Sequence, residues 1–267
     1  ATLFHPSFMR NFIPVSTCIV FLTICTSTLI AQQKAPRNNV SHFNSWFMYF
    51  GNHAINTCWG IHAEVQWRRH NTMQDAQQLL LRTGMHLYPN QNNMLTFGYC
   101  YVHTYPYGDL PAKAAFPENR FWQQWQLKSN PFRGVESISR FRLEQRFVYL
   151  PVLNKNNNLY EPDDAVYTNR FRLMHRISIP FKGVNIIDKS WYISMYDELF
   201  INFGKNVGAN IFDQNRAYVA LGYKVPILGR LEVGYMHQPL FKSDGIGVEN
   251  NHTIMIGLMT NTSASKK

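Results

Sequence analysis

The chain has 267 residues, 16% of them charged and 15% aromatic, and its formal net charge is +10. That length suffices for one large all-β unit, and no change of composition marks a second domain. The basic excess does not predict a nucleic-acid partner, because ten of the eleven lysines fall in predicted turns or tails, whereas a nucleic-acid surface would mix lysine with arginine.

The first predicted element is a secretory leader. The basic segment Met9-Arg10-Asn11 precedes an apolar stretch, 12–30, and a small residue follows it. Because this is the pattern of a signal peptide, we expect residues 1–31 to comprise upstream sequence and a cleaved leader, and the mature chain to start at Gln32. The alternative is a membrane-spanning helix, which the stretch is just long enough to form but which Pro14 disfavours.

Residues 32–57 form an N-terminal segment whose role stays open. Its part 43–57 contains Trp46-Phe47-Met48-Tyr49-Phe50, a composition typical of strands. This part is either an extra strand, which would need a partner and bring the strand number to twelve, or a periplasmic piece that plugs the barrel described next.

From residue 58 to residue 261 the chain alternates polar and apolar residues with the period of two that strands require. Ten strands are predicted, near 58–70, 77–88, 93–104, 118–128, 135–149, 166–180, 190–203, 212–225, 229–238 and 250–261. Longer connections alternate with shorter ones, the longer set being 105–117, 150–165, 204–211 and 239–249. An even strand number with this loop rhythm is typical of bacterial outer-membrane barrels. We therefore predict an all-β fold, an antiparallel transmembrane β-barrel of about ten strands, with twelve as the alternative and a polar tail at 262–267.

The two faces of these strands differ most clearly in Arg140-Phe141-Arg142-Leu143-Glu144-Gln145-Arg146-Phe147. Alternation alone does not say which face points inward, because a soluble barrel would enclose the apolar face. Charged residues make up 16% of this chain against about 25% in a typical soluble domain, and the apolar face is rich in aromatic rings. These observations favour an arginine-lined interior and an apolar face toward lipid. Asp197 and His175 fall on the apolar face, which predicts that they lie near a membrane interface or at a β-bulge.

This orientation defines the candidate site, a lumen network of arginine and glutamate. It comprises Glu64, Arg68, Arg82, Glu118, Arg120, Arg140, Arg142, Glu144, Arg146, Arg170, Arg172, Arg176, Glu198, Arg216, Arg230 and Glu232. Six of the arginines lack a carboxylate partner by count, so the interior must hold water, anions or neutral acceptors. We interpret the set as a structural network, since about eight strands leave an interior that side chains just fill. The alternative is a small porin-like barrel that passes or binds anionic solutes, because arginine rings favour anions.

A third possibility is an outer-membrane hydrolase with an active site at the rim of the barrel. Its candidate residues are Asp163-Asp164, Asp109, His103, His237 and His252, but no serine, histidine and acid share a recognisable spacing, so no catalytic residue is predicted. No C-x-x-C or H-E-x-x-H motif predicts a metal site, and no cofactor is expected. Cys58 and Cys100 are expected to be free thiols, with a disulfide as the alternative.

Short motifs in a fixed order resemble one family. They are Glu64-Val65-Gln66-Trp67-Arg68, Gly98-Tyr99, and the stretches 78–84, 118–124, 140–147, 169–172, 197–202, 214–216 and 234–236. The chain resembles an uncharacterised family of outer-membrane proteins of Gram-negative bacteria, domain of unknown function 2490. The resemblance implies an outer-membrane barrel and supplies no activity. The partners then expected are outer-membrane lipid and lipopolysaccharide, the barrel-assembly machinery, and small anionic solutes in the alternative function, with long loops extracellular and the C-terminus periplasmic.

Overall fold

A computed structural model describes residues 37–262, in which eleven long strands close into a barrel and two short strands form a separate sheet. The strands are β1 (Asn38–Ala54), β2 (Trp59–His70), β3 (Asp75–Asn90), β4 (Asn93–Thr104), β5 (Phe116–Phe132), β6 (Val135–Val148), β7 (Pro151–Asn154), β8 (Leu159–Pro162), β9 (Val166–Pro180), β10 (Trp191–Phe203), β11 (Phe212–Val225), β12 (Gly229–Phe241) and β13 (Gly247–Thr262). Within this range no helix is long and apolar enough to cross a membrane. The predicted leader lies outside the described residues.

Around the barrel the strand order is β1-β13-β12-β11-β10-β9-β6-β5-β4-β3-β2, and β7 and β8 form a hairpin in the connection between β6 and β9. All neighbours in the barrel are antiparallel except β1 and β13, which run parallel from Asn38 opposite Gly247 to His53 opposite Thr262. The all-β class and the barrel are confirmed. The predicted ten or twelve strands and the purely antiparallel sheet are wrong, because a parallel closing pair permits an odd number of strands.

Strand β1 accounts for the difference. It is hydrogen-bonded to β13 on one side and to β2 on the other, so the segment 43–57 contributes the extra strand and the barrel starts at residue 38 instead of 58. The extra strand makes eleven and not twelve, because it pairs with a strand already counted. Its inward face carries Trp46 and Met48 beside polar residues, which obscures the polar-apolar alternation seen elsewhere.

The side chains alternate between the lumen and the outside. In β2, Glu64, Gln66 and Arg68 are buried, while Val65 and Trp67 are 43% and 46% exposed on the outer face. The lumen is not uniformly polar, because two apolar clusters are packed in it. One comprises Trp46, Met48, Tyr218, Ala220, Met236 and Met255, and the other Leu80, Cys100, Val102 and Trp122.

The two ends of the barrel differ in their connections. The long-loop end, as we call it, carries 105–115, 149–165, 204–211 and 242–246 together with the short turn 71–74, and the opposite end carries 55–58, 91–92, 133–134, 181–190 and 226–228. Strand β13 ends at the opposite end. Strand β1 begins at the long-loop end, because it runs parallel to β13.

Candidate functional site

Glu144 on β6 is the centre of the lumen network. Its side chain is fully buried, and its Oε2 accepts hydrogen bonds from Arg170 Nε at 3.0 Å and Arg170 Nη2 at 2.7 Å. Its Oε1 accepts one from Arg172 Nη1 at 2.8 Å. Nitrogens of Arg82 and Arg142 lie 3.8 and 4.0 Å away. One carboxylate therefore balances charge from four guanidinium groups on three strands.

The other predicted glutamates each bind at least one predicted arginine. Glu198 joins Arg172 and Arg140, with N–O distances of 2.8 and 2.6 Å. Glu118 accepts from Arg120 Nε at 2.6 Å and from Arg146 Nη2 at 3.0 Å. The remaining pairs are Glu64 with Arg82, at 2.6 Å, and Glu232 with Arg176. The structure thus places these residues inside the barrel in three groups of ion pairs, one around Glu144 that includes Glu64 and Glu198, one around Glu118 and one around Glu232.

Three acidic residues of the lumen were missed by the sequence analysis. Asp213 accepts from Arg170 Nη1 at 2.9 Å, Glu136 from Arg230 Nη2 at 2.8 Å, and Glu249 Oε1 lies 2.5 Å from Lys242 Nζ. Glu136 could have been found, because it has the inward parity of β6. Asp213 is the extra residue of a β-bulge in β11, and Glu249 lies on β13, whose odd-numbered residues point inward. The rule that even-numbered residues point inward therefore missed both.

A cavity of about 570 Å³ lies between this network and the long-loop end. Its wall contains eight basic side chains, Arg68, Arg82, Arg120, Arg146, Arg170, Arg172, Arg216 and Lys242, and two acidic ones, Glu118 and Asp213. It also contains Trp46 and the amides of Gln66, Gln77, Gln78, Gln214, Gln238 and Asn251. The cavity is therefore electropositive.

Arg68 and Arg216 differ from the other basic residues of the wall, because neither forms an ion pair with any of residues 37–262. Arg68 is held by amides, with Nε 3.0 Å from Gln66 Oε1 and Nη1 2.5 Å from Gln78 Oε1. Arg216 Nε is buried and has no hydrogen-bond partner in the described part of the chain. Both guanidinium groups lie over the ring of Trp46, their Cζ atoms 3.9 and 5.2 Å from its centre.

The connection 105–115 folds back against the cavity mouth. Tyr107 lines the cavity and donates to Glu249 Oε2 at 3.2 Å, and the backbone N–H of Asp109 donates to His42 Nε2 at 3.2 Å. Burial, reinforced by the Glu249 carboxylate, raises the pKa of Tyr107 above its usual range, so the phenol stays protonated and remains a donor. Gly108 has φ of +68° and approaches the His42 ring so closely that a Cβ would lie 2.6 Å from it.

Asp197 and His175, the two exceptions on the outer face, lie opposite each other on β10 and β9. Asn215 donates to both Asp197 oxygens, at 3.0 and 3.1 Å, and Ser139 Oγ lies 3.0 Å from His175 Nδ1. Both residues thus find polar partners on neighbouring strands. Ser137 Oγ contacts the other ring nitrogen at 3.4 Å, and no carboxylate of the described chain contacts His175, so this is not the serine-histidine-acid order of a hydrolase.

The structure does not bring a histidine and an acid together among the rim residues considered for catalysis. Asp163 and Asp164 are exposed in the connection 149–165. His237 and His252 are neighbours, with ring centres 5.3 Å apart, and His252 contacts Tyr235 instead of an acid. His103 packs against Tyr101 and Tyr105, and Asp109 lies 3.5 Å from His42. Cys58 and Cys100 are both free thiols.

Comparison with known proteins adds a family and no activity. An uncharacterized protein of Methylorubrum extorquens is 27% identical over 203 residues, which are 73% of this chain and 78% of that protein. No solved structure matches the chain. The family model described as protein of unknown function (DUF2490) matches residues 43–250, nearly the whole barrel, and the chain therefore belongs to the DUF2490 family.

Proposed function

We propose that this protein is a β-barrel of the Gram-negative outer membrane whose lumen is filled by a structural Arg/Glu network. The observation that carries the proposal is the distribution of side chains in a closed barrel. Large apolar residues cover the outer face, such as Phe97, Phe121 and Val233 at 59%, 53% and 49% exposed, while arginine and glutamate are buried inside. A soluble protein rarely exposes apolar surface on every side, whereas a lipid-embedded barrel requires it.

Strand length and aromatic placement support the same conclusion. The eleven barrel strands have 12 to 17 residues, and about 9 to 11 suffice for a tilted strand to cross a bilayer. Trp59 and Trp191 are exposed near the opposite end, and Phe43 and Phe203 near the long-loop end. Aromatic rings at two levels are typical of the two membrane interfaces.

The packing of the lumen supports a structural role for the network over an open channel. Below the cavity, the centre of the barrel is occupied by fully buried side chains, among them Glu144, Trp122 and Met236. Eleven strands lie nearer the eight-stranded barrels that side chains fill than the sixteen-stranded barrels that hold a channel. In this setting the protein's partners are outer-membrane lipid and lipopolysaccharide, and the barrel-assembly machinery during biogenesis.

Membrane fractionation tests the proposal. Expressed with its own leader in a Gram-negative host, the protein should sediment with the outer membrane, resist extraction by urea and carbonate, and dissolve in detergent as a band that shifts on boiling. Recovery of a folded, monodisperse protein from the aqueous fraction without detergent would refute it. In planar bilayers the refolded barrel should give no ion-selective conductance steps, and such steps would replace the structural interpretation with the anion-channel alternative.

A further inference from the structure

Arg68 and Arg216 are the two basic residues of the cavity wall that have no carboxylate oxygen of residues 37–262 within 4.0 Å. The six other basic residues of the wall each have a carboxylate oxygen within 4.0 Å, supplied by Glu64, Glu118, Glu144, Glu198, Asp213 and Glu249. A buried guanidinium without an opposite charge is strongly destabilised unless something else compensates it. The wall of the cavity therefore carries a local positive excess.

The hydrogen-bond inventory of this pair points to an acceptor. A guanidinium has five N–H donors and no acceptor. Arg68 uses Nε, Nη1 and Nη2 toward the side-chain oxygens of Gln66 and Gln78, and their amide groups in turn donate to Glu64 and Thr104. Arg216 makes no hydrogen bond to residues 37–262, and its buried Nε is left free. A ligand that fits this surplus must offer acceptors and negative charge.

The two groups are close enough to act on one ligand. Their Cζ atoms lie 3.9 and 5.2 Å from the same Trp46 ring centre, so a small solute beside this ring can reach both guanidinium groups. Trp46 is fixed in turn, because its indole N–H donates to Gln77 Oε1 at 2.7 Å. Phe200 supports Arg216 from another side, 4.7 Å from its Cζ. The donors are thus held in place by packing before any ligand arrives, which reduces the entropic cost of binding.

We propose that Arg68 and Arg216 bind the oxoanion group, phosphate or carboxylate, of a small solute that enters from the long-loop end. The cavity of about 570 Å³ lies within the 300 to 1,000 Å³ range of small-molecule sites. Its wall reaches from these arginines to Val207, Gly208 and Ser243 in the connections of the long-loop end, which gives the side of entry. This site makes the anion-binding alternative specific by naming the residues that would bind the anion. It depends on the proposed membrane location only in one respect, the compartment from which the solute enters.

Isothermal titration of the full chain, folded in detergent micelles, tests the site with inorganic phosphate and, separately, succinate as probes. Saturable one-to-one binding of at least one probe is expected. Arg68→Gln and Arg216→Gln should each weaken it by about tenfold or more, as expected for a lost charge-assisted hydrogen bond. Arg142→Gln is the matched control, because Arg142 is also buried in the lumen and held by a glutamine, Gln124, but does not line the cavity. It should change the affinity by no more than about threefold.

Two results would overturn the inference. One is a wild-type barrel whose band shifts on boiling, so that it is folded, but which binds neither probe. The other is equal weakening by Arg142→Gln, which would reduce the effect to the general positive charge of the lumen. Should Arg216→Gln fail to fold, Arg216→Met takes its place, since it removes the charge and the N–H donors but keeps an unbranched side chain that can pack on Trp46, and unchanged affinity in this variant would exclude Arg216. Fractionation decides the membrane proposal separately, so the failure of one leaves the other standing.

Discussion

Glu144→Gln is the sharpest test of the lumen network, because this substitution keeps the shape of the side chain and removes its charge. The carboxylate accepts three hydrogen bonds from Arg170 and Arg172 and lies within 4.0 Å of Arg82 and Arg142. Removing one partner of a buried ion pair typically costs about 3 to 5 kcal/mol, because the other charge stays buried. Since a folded domain has only about 5 to 15 kcal/mol of stability, the loss should be large.

Denaturant unfolding of the barrel in detergent or lipid measures that loss, with the boiling-sensitive band and tryptophan fluorescence as two independent signals of the folded state. Glu161→Gln is the control, because this glutamate is exposed in the β7–β8 hairpin and should leave the midpoint unchanged. The double variant Glu144→Gln/Arg172→Gln should recover part of the loss, since it removes a charge from each side and leaves Glu198 paired with Arg140. A loss below about 1 kcal/mol in Glu144→Gln would mean that water or anions already compensate these arginines, and the structural interpretation of the network would be refuted.

The other predictions concern the outer face, the topology and a loop. Val219→Arg places a charge on the middle of the outer face and should destabilise the barrel in lipid by about 2 to 4 kcal/mol, whereas Ile227→Arg in an exposed turn should not, as unfolding in vesicles would measure. An epitope tag inserted before Asn38 should be accessible from the same side of the membrane as one in the connection 149–165, because β1 begins at the long-loop end, and protection of only one tag would contradict the parallel seam. Backbone N–H groups that follow Asp244 lower the pKa of its carboxyl, so the turn gains stability that is present above the ordinary carboxyl pKa and lost as the pH falls through the lowered value. The protection factors of the amides in that turn, which correct for the intrinsic pH dependence of exchange, should therefore fall at low pH, and this fall should be absent in Asp244→Asn, which keeps an acceptor oxygen but does not titrate.

The sequence predicted the barrel because ten strands repeat one polar-apolar pattern. The prediction of inward-facing residues was wrong where pairing with a neighbouring strand determines which residues point inward. Arg140, Arg142 and Glu144 alternate with apolar residues, and each lies in the lumen. Asp213 and Glu249 could not be placed from their own strands. A bulge opposite β10 turns the first inward, and pairing with β12 sets the inward parity of the second. A parity rule transfers from strand to strand only if no connection or bulge changes the count, and one extra residue is enough to break it.

The pairing of charges in the candidate site could not be predicted from the sequence either. Counting along the chain left six arginines without an acid, whereas Glu136 and Asp213 neutralise Arg230 and Arg170 from distant positions in the chain. Pairing in a lumen depends on which side chains meet across the barrel, and composition along one strand does not contain that information. Other arginines share one carboxylate, as Arg120 and Arg146 share Glu118, so Arg68 and Arg216 could be identified as unpaired only once the partners of all the others were known.

The seam between β1 and β13 explains how an odd-stranded barrel keeps one register. Parallel pairs are slightly less stable per residue than antiparallel ones, and this pair is joined by no short turn. Side-chain hydrogen bonds between the two strands fix their register at three positions along the pair. Asn44 donates to Asn251 inside the barrel at 2.9 Å, Tyr49 bonds Thr260 outside it at 3.0 Å, and Asn52 donates to Asn261 near the end at 3.0 Å. A slip of one residue would turn Asn44 and Asn251 to opposite faces and leave buried amides without partners, so closure in any other register is penalised on both faces at once.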